Sequence, residues 1–176
     1  MKKLLFLLTI ISLSFGIEKN EIYNFYKNKD YSDTCKKGIW ILNQNKTDDN
    51  YLSIVALSCV KVDMINTAIR ISKYMIHTPI GRNNASYIAS IFLIKKLLLQ
   101  MVFDNIDISN LSLPKSNNIL SIVFENISHG NYSKIGDIYI VEQNGYRYTL
   151  SKVENETKIS IKIYKNNNFI AEHIYW

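Results

Sequence analysis

The sequence predicts an α+β fold in which helices come first and an antiparallel sheet follows. Three observations carry this. Apolar residues recur at intervals of three and four from Glu18 to about Met75, the helical period. From Asp137 onward the interval becomes two, the strand period. Within that second region Asn144-Gly145 separates two alternating runs, the strongest short hairpin signal.

The N-terminus comes before either region. Met1-Lys2-Lys3 is basic, Leu4 to Ile11 is apolar apart from Thr9, and Ser12 to Gly16 is small and polar apart from Phe15. That layout is expected of a signal peptide over residues 1–16, with cleavage before Ile17. Export would place the mature chain in the periplasm or outside the cell. Without Lys2 and Lys3 the formal charge falls from +6 to +4.

Four helices are expected between residues 20 and 78. Ile22, Phe25 and Tyr26 mark the first, and Tyr31, Cys35, Ile39 and Leu42 the second. Leu52, Val55, Ala56 and Cys59 mark the third, and Ile65, Ala68, Ile69, Ser72 and Met75 the fourth. Asp30 and Asp63 are the expected N-caps of the second and fourth. The pattern repeats at a shift of 34 residues, which sets Tyr31 on Ile65, Thr34 on Ala68, Cys35 on Ile69, Ile22 on Ala56 and Phe25 on Cys59. "FYKNKDYSDTCKKGIWIL" and "ALSCVKVDMINTAIRISKYM" resemble the turn and second helix of tetratricopeptide repeats, with Pro79 near the usual terminal proline. Thr34 departs from the small alanine of that pattern, and the first helices lack its tryptophan and glycine. The resemblance implies stacked antiparallel hairpins with a concave surface for a peptide or another protein. A plain antiparallel bundle is the alternative.

Cys35 and Cys59 are the only cysteines. In an antiparallel pair, residues equidistant from the connecting loop lie level. The midpoint of these two falls at position 47, the centre of the loop after the second helix. A disulfide is therefore expected if the chain is exported, and two buried thiols if it is not. Closing this loop would stabilise the fold by about 3.5 kcal/mol in the chain-entropy model.

After a break at Thr78 to Gly81, a long helix is expected over residues 83–104. It carries Ile88, Ile91, Phe92, Leu93, Ile94, Leu97, Leu98, Leu99, Met101, Val102 and Phe103 over most of its circumference, which predicts a buried central position. Lys95 and Lys96 interrupt it, so no stable membrane span is expected after signal cleavage. A loop to Lys115 leads to a short helix over 117–128 that stops at Gly130. Residues 136–176 then form a four-stranded β-meander packed on the helices, with turns at Asn144-Gly145 and at Lys165 to Asn168.

Several functions are disfavoured. Only Arg70, Arg82 and Arg147 could make the bidentate forks of phosphate and guanine recognition, so no nucleic-acid partner is expected. His77, His129 and His173 are far apart and lack metal-pair spacing, which predicts surface or helix-end positions and no metal. The chain has no G-x-S-x-G, phosphate loop, dinucleotide fingerprint or C-x-x-C, so neither catalytic residues nor a cofactor is expected. Asp104 and Asp107 form a close pair that a polar loop would solvate. What remains is an exported protein- or peptide-binding or scaffold module, with another envelope protein as partner. The alternatives are a dedicated structural or inhibitor subunit of the envelope, or a hydrolase whose site is dispersed in sequence. Tyr146, Tyr148, Tyr164, Tyr175 and Trp176 are the candidate contact aromatics, and the last strand is a candidate edge for an incoming strand.

Overall fold

The computed structural model describes residues 17–176; the expected signal peptide lies outside the described residues. The order is helices α1 (Lys19–Lys27), α2 (Tyr31–Gly38), α3 (Asp49–Lys61), α4 (Ile65–Ser72), α5 (Pro79–Asp104) and α6 (Ile119–Ser128), then strands β1 (Ser133–Ile135), β2 (Ile138–Gln143), β3 (Tyr146–Lys152), β4 (Ile159–Lys165) and β5 (Asn168–Tyr175). The α+β class and the meander follow the sequence reading.

The 34-residue recurrence is present in the backbone. Helices α1 and α3 end 34 positions apart, and α2 and α4 begin 34 positions apart. Between them Lys29 and Asp63 occupy the same left-handed conformation, φ 60° and 61°. The following N–H groups of Asp30 and Met64 reach back to the carbonyls of Phe25 and Cys59, the long bond that closes a helix C-terminus around a left-handed residue. Asp30 caps α2 as expected, accepting from the Asp33 N–H at 3.0 Å. Asp63 does not cap α4. In the repeat the position matching Asp30 is Met64, which has no side-chain cap, and Asp63 is free to act elsewhere.

Cys35 and Cys59 form the disulfide, with Cα atoms 4.9 Å apart, and both are fully buried. The bond is consistent with an oxidising extracytoplasmic compartment. Beside it the Tyr51 hydroxyl donates to the Gly38 carbonyl at 2.5 Å, so α2 and α3 are held by a covalent and a polar tie.

Helix α5 begins four residues before the expected start. Pro79 opens the helix instead of ending the repeat, because its fixed φ and missing N–H suit the first turn. Thr78 is the N-cap, accepting from the Gly81 N–H at 2.9 Å. Asp49, at the start of α3, accepts from the Thr78 N–H at 2.5 Å and its hydroxyl at 2.9 Å. By length and composition α5 could cross a membrane. It is not buried all round, however. Ile88, Ile91, Ile94, Lys95, Leu98, Met101 and Val102 form one buried stripe, while Leu93 is 45% exposed. The reason is that α5 packs on α3, α4, α6 and β3, which leaves its remaining side at the rim.

The sheet has five strands in sequence order, not four. The extra strand, β1, is three residues long and pairs with β2 across Gly136, whose φ is +57°. Asn144-Gly145 and Asn166-Asn167 make two further tight hairpin turns, each with positive φ at both positions. Tyr139 and Val141 on β2, Tyr148 and Leu150 on β3, and Ile159, Ile161 and Ile163 on β4 turn toward the helices. On the other face Ser160 departs from the alternation of a half-buried strand. It is buried beneath Glu172, to which its hydroxyl donates at 2.6 Å.

Candidate functional site

Polar interactions converge where β5 meets the turn between α3 and α4. The left-handed backbone at Asp63 turns its carboxylate outward from the helix pair. Strand alternation places His173 and Tyr175 on the inner face of β5, level with it. His173 Nδ1 lies 2.5 Å from Asp63 Oδ2 and the Tyr175 hydroxyl donates to Asp63 Oδ1 at 2.8 Å. Asp63 raises the His173 pKa above its usual 6.5 against the opposing effect of partial burial. Burial and the facing carboxylate push the Tyr175 phenol far upward, so Tyr175 acts as a fixed donor.

A second tie lies one residue further along. Lys95, on the buried stripe of α5 and 2% exposed, donates to Asn66 Oδ1 at 2.5 Å and to the main-chain oxygen of Trp176 at 2.7 Å. Its ammonium also lies 5.1 Å from the centre of the Phe92 ring. Burial first, and the neighbouring Lys96 second, lower its pKa from 10.5 to about 8. The C-terminal end of β5 is thus anchored by Asp63 and Lys95, which belong to the helical region.

Two cavities flank these anchors. One of about 110 Å³ lies between the start of α4, Lys95 and Trp176. The other, about 230 Å³, is bounded by Lys61, Tyr87, Ser116, Asn117, Asn118 and His173. The remainder of β5 differs in character. It is the terminal strand of the sheet, and among the described residues no other backbone group bonds to its outer side. Phe169, Ile170, Ile174 and Trp176 along it are 57%, 50%, 39% and 56% exposed.

The five expected contact aromatics do not share a surface. Tyr148 and Tyr175 are buried, and Tyr146 lies beside Tyr148 on the inner face with ring centres 6.3 Å apart. Tyr164 is on the outer face, between the Arg147 guanidinium and Phe169. Only Trp176 is largely exposed. Strand alternation keeps Tyr146 and Tyr148, two residues apart, on one face, but the register of β4 puts Tyr164 on the other, and burial withdraws Tyr148 and Tyr175 from contact.

One of the three histidines differs from expectation. His77 is exposed and His129 caps the end of α6, but His173 is tied to Asp63 from 110 residues away. No local spacing marks that pair. The one available signal is that Asp63 aligns with Lys29 in the 34-residue repeat, which already removes it from the capping position. Asp104 and Asp107 do not form an acid pair: Asp104 ends α5, while Asp107 accepts from the N–H and hydroxyl of Ser109. Those bonds hold the Asp107 carboxyl below its usual range. Among the described residues no cluster of His, Cys, Asp or Glu has the composition of a metal site. No family model matches the chain, and no curated protein or solved structure does either.

Proposed function

We propose that the chain is an exported, periplasmic protein-binding module, and that it takes an extended segment of another envelope protein along β5. The observation that carries this is the free outer edge of β5, eight residues long and bearing exposed apolar side chains. A row of unpaired strand N–H and C=O groups is matched by another strand, and long exposed apolar edges are otherwise avoided. The opposite edge of the same sheet is only three residues long, which gives an incoming strand little to pair with. The anchors at Asp63 and Lys95 support the reading, because an edge held rigidly at one end loses less entropy on binding. The tetratricopeptide-like recurrence supports a binding role as well and offers the competing surface, the helical side.

Photo-crosslinking residues placed singly at Phe169 and Ile174, in the protein expressed in its own host, test the proposal against that competitor. A discrete adduct from these positions, absent when Ile170 is changed to Lys, is the expected result. Adducts from Trp40 and Ile80 alone would move the contact to the helices and overturn the strand reading. A single adduct species would identify a dedicated subunit, and a ladder of species a general peptide holder.

A further inference from the structure

The cavity of about 230 Å³ beside His173 is lined by ten residues, eight of which carry a polar side-chain group. Its nitrogen donors are largely uncommitted. His173 uses Nδ1 on Asp63 and its Nε2 has no hydrogen bond among the described residues. Asn118 is committed at both ends, its side-chain oxygen to the Leu120 N–H and its amide to the Tyr87 hydroxyl, whereas the Asn117 side chain has no hydrogen bond among the described residues. Lys61 has no ion-pair partner among the described residues. Asp63 is the only carboxylate on the wall, and both its oxygens are occupied by His173 and Tyr175.

We propose that this cavity binds the oxyanion group of a small ligand, with His173 Nε2 and Lys61 as the charged donors and the Asn117 amide as the neutral one. The site is separate from the β5 edge and does not depend on the protein-binding reading. Asp63 sets its chemistry by fixing the imidazole through Nδ1, which leaves Nε2 to face the ligand. The same carboxylate favours the imidazolium form, which donates at Nε2 where the neutral ring would accept. The titratable groups facing His173 are Asp63 in the α3–α4 turn, Lys61 on α3, Tyr87 on α5 and Tyr175 on β5. Burial raises both Tyr87 and Tyr175 above the ordinary phenol value. Neither tyrosine therefore titrates near neutrality, and His173 governs the pH dependence.

Sulfate is the probe, because its charge does not change across the relevant pH range. Titration of the full chain, followed by the His173 ring proton resonances, is expected to give a Kd of about 1 mM or tighter near pH 6, weakening by about tenfold or more as the imidazolium is lost. His173→Gln should abolish binding. Lys61→Gln, at an exposed position that does not affect folding, should weaken it by about threefold to tenfold. Phosphate and acetate titrations then separate a preference for tetrahedral anions from one for carboxylates, and either is an oxyanion. No saturable binding below about 10 mM, or binding that neither Lys61→Gln nor rising pH weakens, would overturn the proposal and leave Asp63–His173 as a strut only.

Discussion

At Asp63 one carboxylate accepts from two side chains of the last strand, so its loss is felt 110 residues away in sequence. The folded state raises the His173 pKa, and therefore holds that proton more tightly than the unfolded chain does. The resulting stability is fully present below the unfolded value of 6.5 and is lost as pH rises through the raised folded value. Thermal unfolding followed across neutrality should show this decline, and His173→Gln should flatten it while costing about 1–3 kcal/mol at low pH. Lys95 runs in the opposite sense. Its folded pKa of about 8 lies below its ordinary 10.5, so burial of the charge costs stability until the proton leaves. Stability should rise with pH between those two values, and Lys95→Met should remove that rise. An unchanged alkaline limb in Lys95→Met would show that the buried ammonium is not its source.

The starts of α3 and α5 are joined by Asp49, Thr78 and Gly81. A Cβ placed on Gly81 would overlap Asp49 Oδ2, and that oxygen cannot move without leaving the Thr78 N–H and hydroxyl. Gly81→Ala should cost about 2 kcal/mol in chemical denaturation, even though alanine is the better helix former elsewhere. Combined with Asp49→Ala, the two losses should be less than additive, because the second substitution removes the carboxyl part of the clash and leaves only the Cβ contact at 2.8 Å. At the β2–β3 turn Gly145 has φ +76° and open space around it. Gly145→Ala should therefore cost about 1 kcal/mol from backbone strain alone, with no packing change visible by NMR. The hairpin was legible from Asn144-Gly145 because turn chemistry is local. The short β1 was missed, because three residues are too few to show alternation. The start of α5 was misplaced because Pro79 has two meanings, ending one helix or opening the next. Only the contact with Asp49 selects the second.

At the scale of the whole chain, the disulfide joins α2 to α3 inside the core. Reduction, or Cys35→Ala with Cys59→Ala, should lower the unfolding free energy by about 3.5 kcal/mol, measured by denaturant titration with and without reductant. No loss on reduction would show that the unfolded chain is not restrained by the bond. The sequence by itself determined the helical and strand regions, the 34-residue recurrence, the hairpin turns and the cysteine pair. Each of these rests on periodicity, on turn chemistry, or on counting residues from a loop, all short-range rules. Only the tertiary structure decided that Asp63 meets His173 and Tyr175, that Lys95 reaches Trp176, and that the tyrosines of the meander divide between two faces. Those outcomes depend on how the sheet docks against the helices, a choice made by the fit of whole surfaces that no local spacing encodes.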